Sequence, residues 1–215
     1  MILKYIEYNE SVDNVLDIIK ENCQPYFEKM KGVDYLFYRG VPEKIEDIKT
    51  FQALEKRKPR NTQKYLHDIM NRLSKKKFGW EIRNGVFATH DKSEASRYET
   101  TGTAWANRID GDNMGTTNIF LPIGDFDFVY NEDINDFTDY IYDQRMVPFS
   151  DWKDSTGNNK YTKTDWMRDL RLFAQECVDG YTDKINYHME YNEVSFNVKE
   201  YYTKINKIKY DKKIR

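Results

Sequence analysis

The sequence has little cysteine and lacks any long hydrophobic run. Among its 215 residues are 2 cysteines, Cys23 and Cys177, far apart in the chain. Two isolated cysteines do not form the disulfide framework of a small secreted domain, so we expect a reduced, intracellular compartment. No stretch approaches the length of about 20 apolar residues that crosses a bilayer, and residues 1–7 show no signal-peptide pattern. The sequence therefore predicts a cytoplasmic protein that does not act at a membrane.

Proline and glycine are also scarce, and no stretch rich in Pro, Gly and Ser divides the chain. The sequence contains 5 prolines and 10 glycines. A chain of this length can bury one sizeable core, and domain boundaries normally fall in flexible linkers. We therefore expect a single domain over residues 1–215, which begins with a helical segment at 1–32.

Neither sign of charge dominates the composition. The chain has 34 Lys and Arg against 36 Asp and Glu, a net charge of -2, which excludes a global electrostatic attraction to nucleic acid. The distribution is uneven, however. Residues 56–60, 75–77 and 204–215 are locally basic, and 125–143 is acidic. Such runs are typical of solvated faces, and the alternative is that the basic ones bind phosphates of a ligand or polymer.

Hydrophobic periodicity predicts helices and strands in an irregular order. The helices are expected at 11–30, 62–77, 133–142 and from Thr164 onwards, with a short helix after Asp91 and a helical turn near 45–51. The strands are expected at 35–39, 86–89, 118–122, 125–130, 193–198 and 201–208. The polar stretches 100–116 and 150–163 are predicted to be loops. Because strands and helices do not alternate regularly, the fold class is α+β and not a doubly wound parallel sheet.

Three short segments place polar residues at the ends of predicted strands. Arg39 ends an aromatic strand and precedes Gly40; Thr89 ends a second strand; Glu193 begins a late apolar strand. Arginine presents a fork of donors suited to phosphate or ribose oxygens, and glycine lets a flat ligand approach the backbone closely. Each segment alone is equally typical of an ordinary strand end. Their joint occurrence and order make them a candidate site.

Taken together, the three segments resemble the ADP-ribosyltransferase superfamily. Members carry an arginine before glycine on a first core strand, an aromatic-x-Ser/Thr strand, and a catalytic glutamate that opens a late strand. The matching residues are Arg39, Gly40, Phe87, Thr89 and Glu193. The resemblance implies two small, mainly antiparallel sheets packed face to face as a split β-sandwich flanked by helices, with NAD in the cleft between them.

The resemblance also implies a reaction and a role for each residue. A mono-ADP-ribosyltransferase breaks the bond between nicotinamide and the ribose of NAD and transfers ADP-ribose to a protein or nucleic-acid acceptor. Glu193 would stabilise the oxocarbenium-like transition state and hold the 2′-hydroxyl. Arg39 would bind the nicotinamide-side ribose or the diphosphate, and Thr89 would orient Arg39 or the ribose. Gly40 would bind the carboxamide through its backbone.

The middle segment resembles the poly-ADP-ribose polymerase version of the motif. There, a Gly-x-aromatic start precedes a small helix and then a tyrosine that stacks on nicotinamide. The residues at matching spacing are Gly85, Phe87, Ser93 and Tyr98. Tyr98, and with it Phe87, is therefore expected to stack on the nicotinamide ring. Arg57 or Arg60 would reach the diphosphate or the target.

Departures from the pattern leave the acceptor open. His90 and Asp91 replace the usual Thr-Ser, and Tyr191 stands where arginine-modifying members carry Glu and others carry Gln. The segments 57–62 and 120–124 look similar to uncharacterised proteins of tailed bacteriophages. That similarity implies a phage-encoded viral protein that acts on host components.

Other readings compete with the transferase. An inactive transferase-like binding module or virion accessory protein would keep the fold without the chemistry. An RNA 2′-phosphotransferase shares the fold and consumes NAD, but it relies on additional basic residues in place of the glutamate, so Glu193 disfavours it. A nucleic-acid-binding protein would use the basic segments and the aromatic residues. His67, His90 and His188 lack ligand spacing, so no metal site is predicted.

Overall fold

The computed structural model describes six α-helices and seven β-strands. The described residues are 13–42, 45, 48–59, 62–98, 116–144, 146, 148–151, 158, 162–186 and 192–205. The helices are α1 (Asp13–Asn22), α2 (Gln24–Lys29), α3 (Lys64–Phe78), α4 (Lys92–Ser96), α5 (Phe137–Asp143) and α6 (Lys163–Gly180). The strands are β1 (Tyr38–Val41), β2 (Ile48–Gln52), β3 (Val86–Thr89), β4 (Thr116–Ile123), β5 (Asp127–Tyr130), β6 (Glu193–Asn197) and β7 (Glu200–Ile205). Two short 3-10 helices cover Ile82–Asn84 and Phe149–Asp151.

All seven strands belong to one antiparallel sheet, in the order β2-β7-β4-β1-β3-β6-β5. The predicted α+β class is confirmed, but the strands do not form two separate sheets. The reason is one residue pair, Tyr38 with Thr89, which joins β1 to β3 and makes the ladder continuous. By contrast, β1 pairs with β4 through four residues and β3 with β6 through four. The β1–β3 junction is therefore the weak seam of the sheet.

The sheet folds back on itself at this seam. The ring of Phe196 on β6 lies 4.8 Å from that of Phe120 on β4 and 5.1 Å from that of Phe37, measured between centroids. In a flat sheet β4 and β6 would be three strand spacings apart, or roughly 14 Å. The four-stranded half β2-β7-β4-β1 must therefore face the three-stranded half β3-β6-β5. Buried Ile19 and Tyr26 from α1 and α2 complete this first core.

A second core covers the outer face of the three-stranded half. Alternation along β5 sends Phe128 into the first core and Val129 into the second, as the sequence predicts. Helices α3, α5 and α6 cover Val129, with Ile69, Phe137 and Leu170 among the buried residues. The three-stranded half is thus buried on both faces, which fixes the positions of its strand ends.

Most predicted elements are confirmed, and two local ones are wrong. The predicted helix over 11–30 breaks at Cys23, because Pro25 in the first turn of α2 lacks the N–H that a continuous helix requires. The segment near 45–51 contains no helical turn among its described residues. It holds β2, because Ile48–Gln52 pairs along its whole length with β7. Tertiary pairing here overrides the local pattern.

Two helix ends and the cysteines agree with expectation, whereas the last helix begins after Thr162, which caps it in place of the predicted Thr164. Helix α3 stops at Gly79, whose φ of 84° is the left-handed conformation that glycine adopts without strain. Asp91 caps α4 by accepting the backbone N–H groups of Ser93 and Glu94. Both cysteines are buried free thiols, and burial raises the pKa of each to about 12. They form no disulfide.

Candidate functional site

The strand register brings the three motif segments side by side. Thr89 on β3 lies opposite Glu193 on β6 and also opposite Tyr38 on β1, next to Arg39. Directly opposed residues of antiparallel strands have Cβ atoms about 5 Å apart. Arg39, Thr89 and Glu193 therefore stand on three adjacent strands, in the order in which they were predicted. Glu193 is the first residue of its strand, also as predicted.

Thr89 is a buried end residue of β3. Its hydroxyl accepts the backbone N–H of Asp91 at 3.2 Å, so it helps to start the turn into α4. The side chain is 7% exposed. Its measured contacts are thus those of a structural turn residue, and its position between β1 and β6 is what relates it to the site.

Two arginines bridge the seam beside Thr89. The guanidinium of Arg39 donates from Nη1 to the carbonyl of Phe87, and Nη1 of Arg57 donates to the carbonyl of Gly85 at 2.9 Å. Alternate carbonyls of a strand point to the same edge. Where the edge of β3 is not paired with β1, its carbonyl groups therefore accept hydrogen bonds from guanidinium groups. Nε of Arg39 is buried without a hydrogen-bond partner among the described residues.

Gly40 lies just past the end of the β1–β3 ladder. The carbonyl of Phe37 accepts the N–H of Phe120 on β4. Alternation then directs the backbone groups of Tyr38 and Gly40 to the opposite edge, toward β3. The ladder with β3 ends at Tyr38. The backbone of Gly40 therefore faces the seam, where a ligand carboxamide was expected.

The carboxylate of Glu193 forms a largely buried ion pair with Arg83. Its Oε1 lies 3.0 Å from Nη1 of Arg83, and the two side chains are 15% and 9% exposed. Burial raises the pKa of Glu193, and the charge of Arg83 acts in the opposite direction. Arg83 therefore works to keep the carboxylate ionised in a site that would otherwise favour its neutral form.

Arg83 is the principal site residue that sequence reasoning missed. Its backbone N–H donates to Oδ1 of Asn71 on α3, and its guanidinium lies 4.1 Å from the centroid of the Phe137 ring. It belongs to the 3-10 helix before β3. No local pattern marks it, because only the pairing of β3 with β6 carries it to Glu193. The one available signal is an arginine directly before the Asn84–Gly85 pair.

The two aromatic candidates have different surroundings. The ring of Phe87 has the guanidinium of Arg57 at 4.7 Å and that of Arg83 at 4.6 Å from its centroid. Because two cations already lie over this ring, a nicotinamide would have to compete with them, and the stacking role of Phe87 stays a prediction. Tyr98 is 46% exposed, and its hydroxyl bonds to the carboxylate of Asp136. Its ring remains accessible for stacking.

The site carries excess positive charge. Burial, followed by the nearby charges of Arg39 and Arg83, lowers the pKa of Arg57 to about 10. The pKa of Tyr98 is raised by burial of its hydroxyl and by the charges of Glu193 and Asp136. The hydrogen bonds of Arg39, Arg57 and Arg83 to the β3 segment and to Glu193 bring three guanidiniums close to one largely buried carboxylate. An anionic ligand would relieve the repulsion among them.

Some predicted residues and loops lie outside the described part of the chain. These are Arg60, Tyr191, His188, residues 100–115 and most of 150–161. Among the described residues, no group of three or more His, Cys, Asp or Glu side chains is placed to hold a metal ion. No described helix combines the length and apolar character that a membrane span requires.

Comparisons with protein-family models, with curated proteins and with solved structures found no match to the chain. Its function must therefore be inferred from the residues of the site and from the resemblance of their segments.

Proposed function

We propose that the chain is an NAD-dependent mono-ADP-ribosyltransferase with an ADP-ribosyltransferase-like form of the α+β fold. We further propose that it is phage-encoded and modifies a macromolecule of the host cytoplasm. One observation carries the proposal: the register sets Thr89 between the strand of Arg39 and the start of the strand of Glu193. A single site built from the three sequence patches requires them to meet on adjacent strands, and this register supports the proposal.

The shape of the sheet supports a cleft at the seam. The two halves face each other through their aromatic core and are joined by one residue pair. Beyond Tyr38 the two strands diverge, and Arg39 and Arg57 span the gap with their side chains. Gly40 directs its backbone to the same gap. A flat carboxamide would find backbone groups there, and a diphosphate would find guanidinium donors.

Charge and ring exposure support positions for the diphosphate and the nicotinamide of NAD. Its diphosphate carries two negative charges, which suit the guanidiniums of Arg39 and Arg57. Tyr98 offers an accessible ring for the nicotinamide, and the charge of Glu193 contributes to the raised pKa of the Tyr98 hydroxyl. The ring of Phe87 contacts the guanidiniums of Arg57 and Arg83. We therefore assign Phe87 the role of holding these arginines and assign nicotinamide stacking to Tyr98.

In the proposed reaction, the bond between ribose C1′ and the nicotinamide nitrogen breaks, and its electron pair leaves with nicotinamide. The positive charge that develops on the ribose is stabilised by the ionised carboxylate of Glu193. A nitrogen or oxygen of the acceptor then bonds to C1′ and releases its proton to solvent. Arg83 acts as a positioning residue, because it holds the carboxylate of Glu193 at 3.0 Å in its charged form.

The test is nicotinamide release from NAD by the purified protein, alone and with bacterial lysate, with labelled NAD to follow transfer. We expect Glu193→Gln to abolish release, and Glu176→Gln, an exposed carboxylate on α6, to leave it unchanged. Circular dichroism of both variants checks that they are folded. Absence of release and of label from folded wild-type protein would overturn the proposal.

The ion pair between Glu193 and Arg83 favours a second candidate, a nucleotide-binding module without catalysis. A carboxylate held by an arginine is less free to contact a ribose. Calorimetric titration separates the two functions. Binding of NAD without nicotinamide release supports the module, and release that depends on Glu193 supports the enzyme.

A further inference from the structure

A basic groove lies beside the candidate site, between helix α3 and residues 56–59. It encloses about 1010 Å³ and is open to solvent. Besides Arg57, its cationic side chains are Lys56, Lys58, Lys64, Arg72, Lys75 and Lys76. Against these seven cations stand two carboxylates, Asp68 and Glu81. The groove is strongly positive on a chain whose net charge is -2.

The groove unites two basic segments that are separate in the sequence. Residues 56–59 form one wall, and the exposed face of α3 forms the other. Lys64, Arg72 and Lys76 all line the groove from α3, and the 12 residue steps that they span, at 1.5 Å each, are about 18 Å long. In a duplex the phosphates of one strand rise about 3.4 Å each along the helix axis, and the six-bond backbone of an extended single strand spaces them roughly twice as far apart. A run of about three or four phosphates would therefore fit beside this row.

Most of these cations are free to bind an anion. Lys64 pairs with Asp68, and Lys75 lies 3.5 Å from Glu81. Lys58, Arg72 and Lys76 are exposed and take part in no ion pair among the residues that the structure describes. Like charges held close together along one groove repel each other unless an anionic partner compensates them. This arrangement therefore favours a polyanion over an isolated anion.

The groove leads to the candidate site through shared residues. Arg57 lines the groove, yet its guanidinium donates to Gly85 and lies over the ring of Phe87. Asn84 also lines it and accepts the backbone N–H of Arg57 at 3.3 Å. A strand that tracks the groove would therefore pass close to the seam at β3.

We propose that the basic groove binds the phosphate backbone of a single-stranded nucleic acid. If the strand also accepts ADP-ribose, that role rests on the proposed transferase function. Binding of the strand to the groove does not depend on it. The limited volume of the groove favours a single strand over a duplex. Backbone contacts give affinity without sequence preference, and the described residues of the groove lining include no Phe, Tyr or Trp ring for stacking on bases.

The test measures anisotropy of a fluorescein-labelled 12-nucleotide DNA with full-length protein from 50 to 200 mM salt. With about four phosphate contacts, affinity should fall about 50-fold over this range. The variant Lys58→Gln/Lys76→Gln removes two contacts, so its affinity should fall only about 7-fold over the same range and start lower. The matched variant Lys31→Gln/Lys199→Gln, exposed lysines outside the groove, should bind as wild type.

Three results would overturn the inference: no binding to the DNA, equal loss in both double variants, or equally tight binding of polyglutamate. Duplex DNA of the same length is expected to bind more weakly. Adding labelled NAD then distinguishes the two proposals. Nicotinamide release without DNA binding would support the transferase and overturn the nucleic-acid-binding groove. DNA binding without nicotinamide release would support the groove and count against the transferase. Label on the DNA supports both.

Discussion

Breaking the ion pair between Arg83 and Glu193 should have a large effect on folding. The two side chains are 9% and 15% exposed, and the charged atoms are 3.0 Å apart. At an effective dielectric constant near 20, that separation corresponds to an attraction of roughly 5 kcal/mol, which the desolvation of both groups offsets in part. Removing one partner leaves a buried charge, so Arg83→Gln or Glu193→Gln should each cost about 3–5 kcal/mol.

The double variant separates the pair interaction from other losses. Arg83 also lies over the rings of Phe87 and Phe137, so Arg83→Gln loses cation–π contact as well. Neutralising both partners should cost about 2–3 kcal/mol less than the sum of the single changes. The assay is urea unfolding followed by tryptophan fluorescence, with all four proteins at pH 7. If the two single costs sum to the cost of the double variant within about 0.5 kcal/mol, a direct pair interaction is refuted.

The same pair sets an expectation for pH. Because burial raises the pKa of Glu193, the folded state holds a proton that the unfolded state has released only in the pH range between the ordinary and the raised pKa. Linkage then makes wild type gain stability relative to Glu193→Gln as pH falls from neutral toward the ordinary value of 4.5. Arg83→Gln removes the opposing charge, so the acidic limb of nicotinamide release should move to higher pH. An unchanged limb would mean that Arg83 does not control the ionisation of Glu193.

Three further predictions concern other positions. Gly85→Ala should lower the free energy of unfolding by about 1–3 kcal/mol, because the added Cβ would lie 2.3 Å from Oγ of Ser195. The measurement is thermal unfolding, and an unchanged Tm would contradict this packing. Burial and Arg83 lower the pKa of His67, so stability should fall on acidification through 6.5, and His67→Gln should flatten that dependence in urea titrations. Tyr98→Ala should raise KM for NAD about tenfold if the ring stacks on nicotinamide; Tyr98→Phe keeps the ring and should stay near wild type.

Local sequence signals predicted the elements that depend on their own residues. Helix α3 ends where Gly79 allows a left-handed residue, and α4 begins where Asp91 caps it. Strand β3 spans 86–89 as expected. β2 could not be recognised locally, because it exists through its pairing with β7, about 150 residues away along the chain. The number of sheets was misjudged for a similar reason, since the Tyr38–Thr89 pair that joins the halves has no sequence signature.

The candidate site shows the same division. Thr89 and Glu193 were found because one ends a strand and the other begins one. Arg39 was predicted to end its strand and is instead the second residue of β1, and the ladder still brings the three strands together. Arg83 was not found, since its partner lies 110 residues further along the chain. The stacking role of Phe87 could not be judged either, because the two arginines over its ring come from other segments. Charge pairing between distant segments is the part of a site that a single sequence does not show.

The position of β6 and β7 has a consequence for how the protein is made. Each lies in the middle of one half of the sheet: β6 between β3 and β5, and β7 between β2 and β4. Only Val198 and Lys199 separate them in the chain. The ribosome therefore synthesises β2 and β5 before their partner strand in this sheet exists, and β3 and β4 before the second of their two partners exists. Neither half can close co-translationally until residues 193–205 have emerged, so the nascent chain carries exposed strand edges for most of its synthesis.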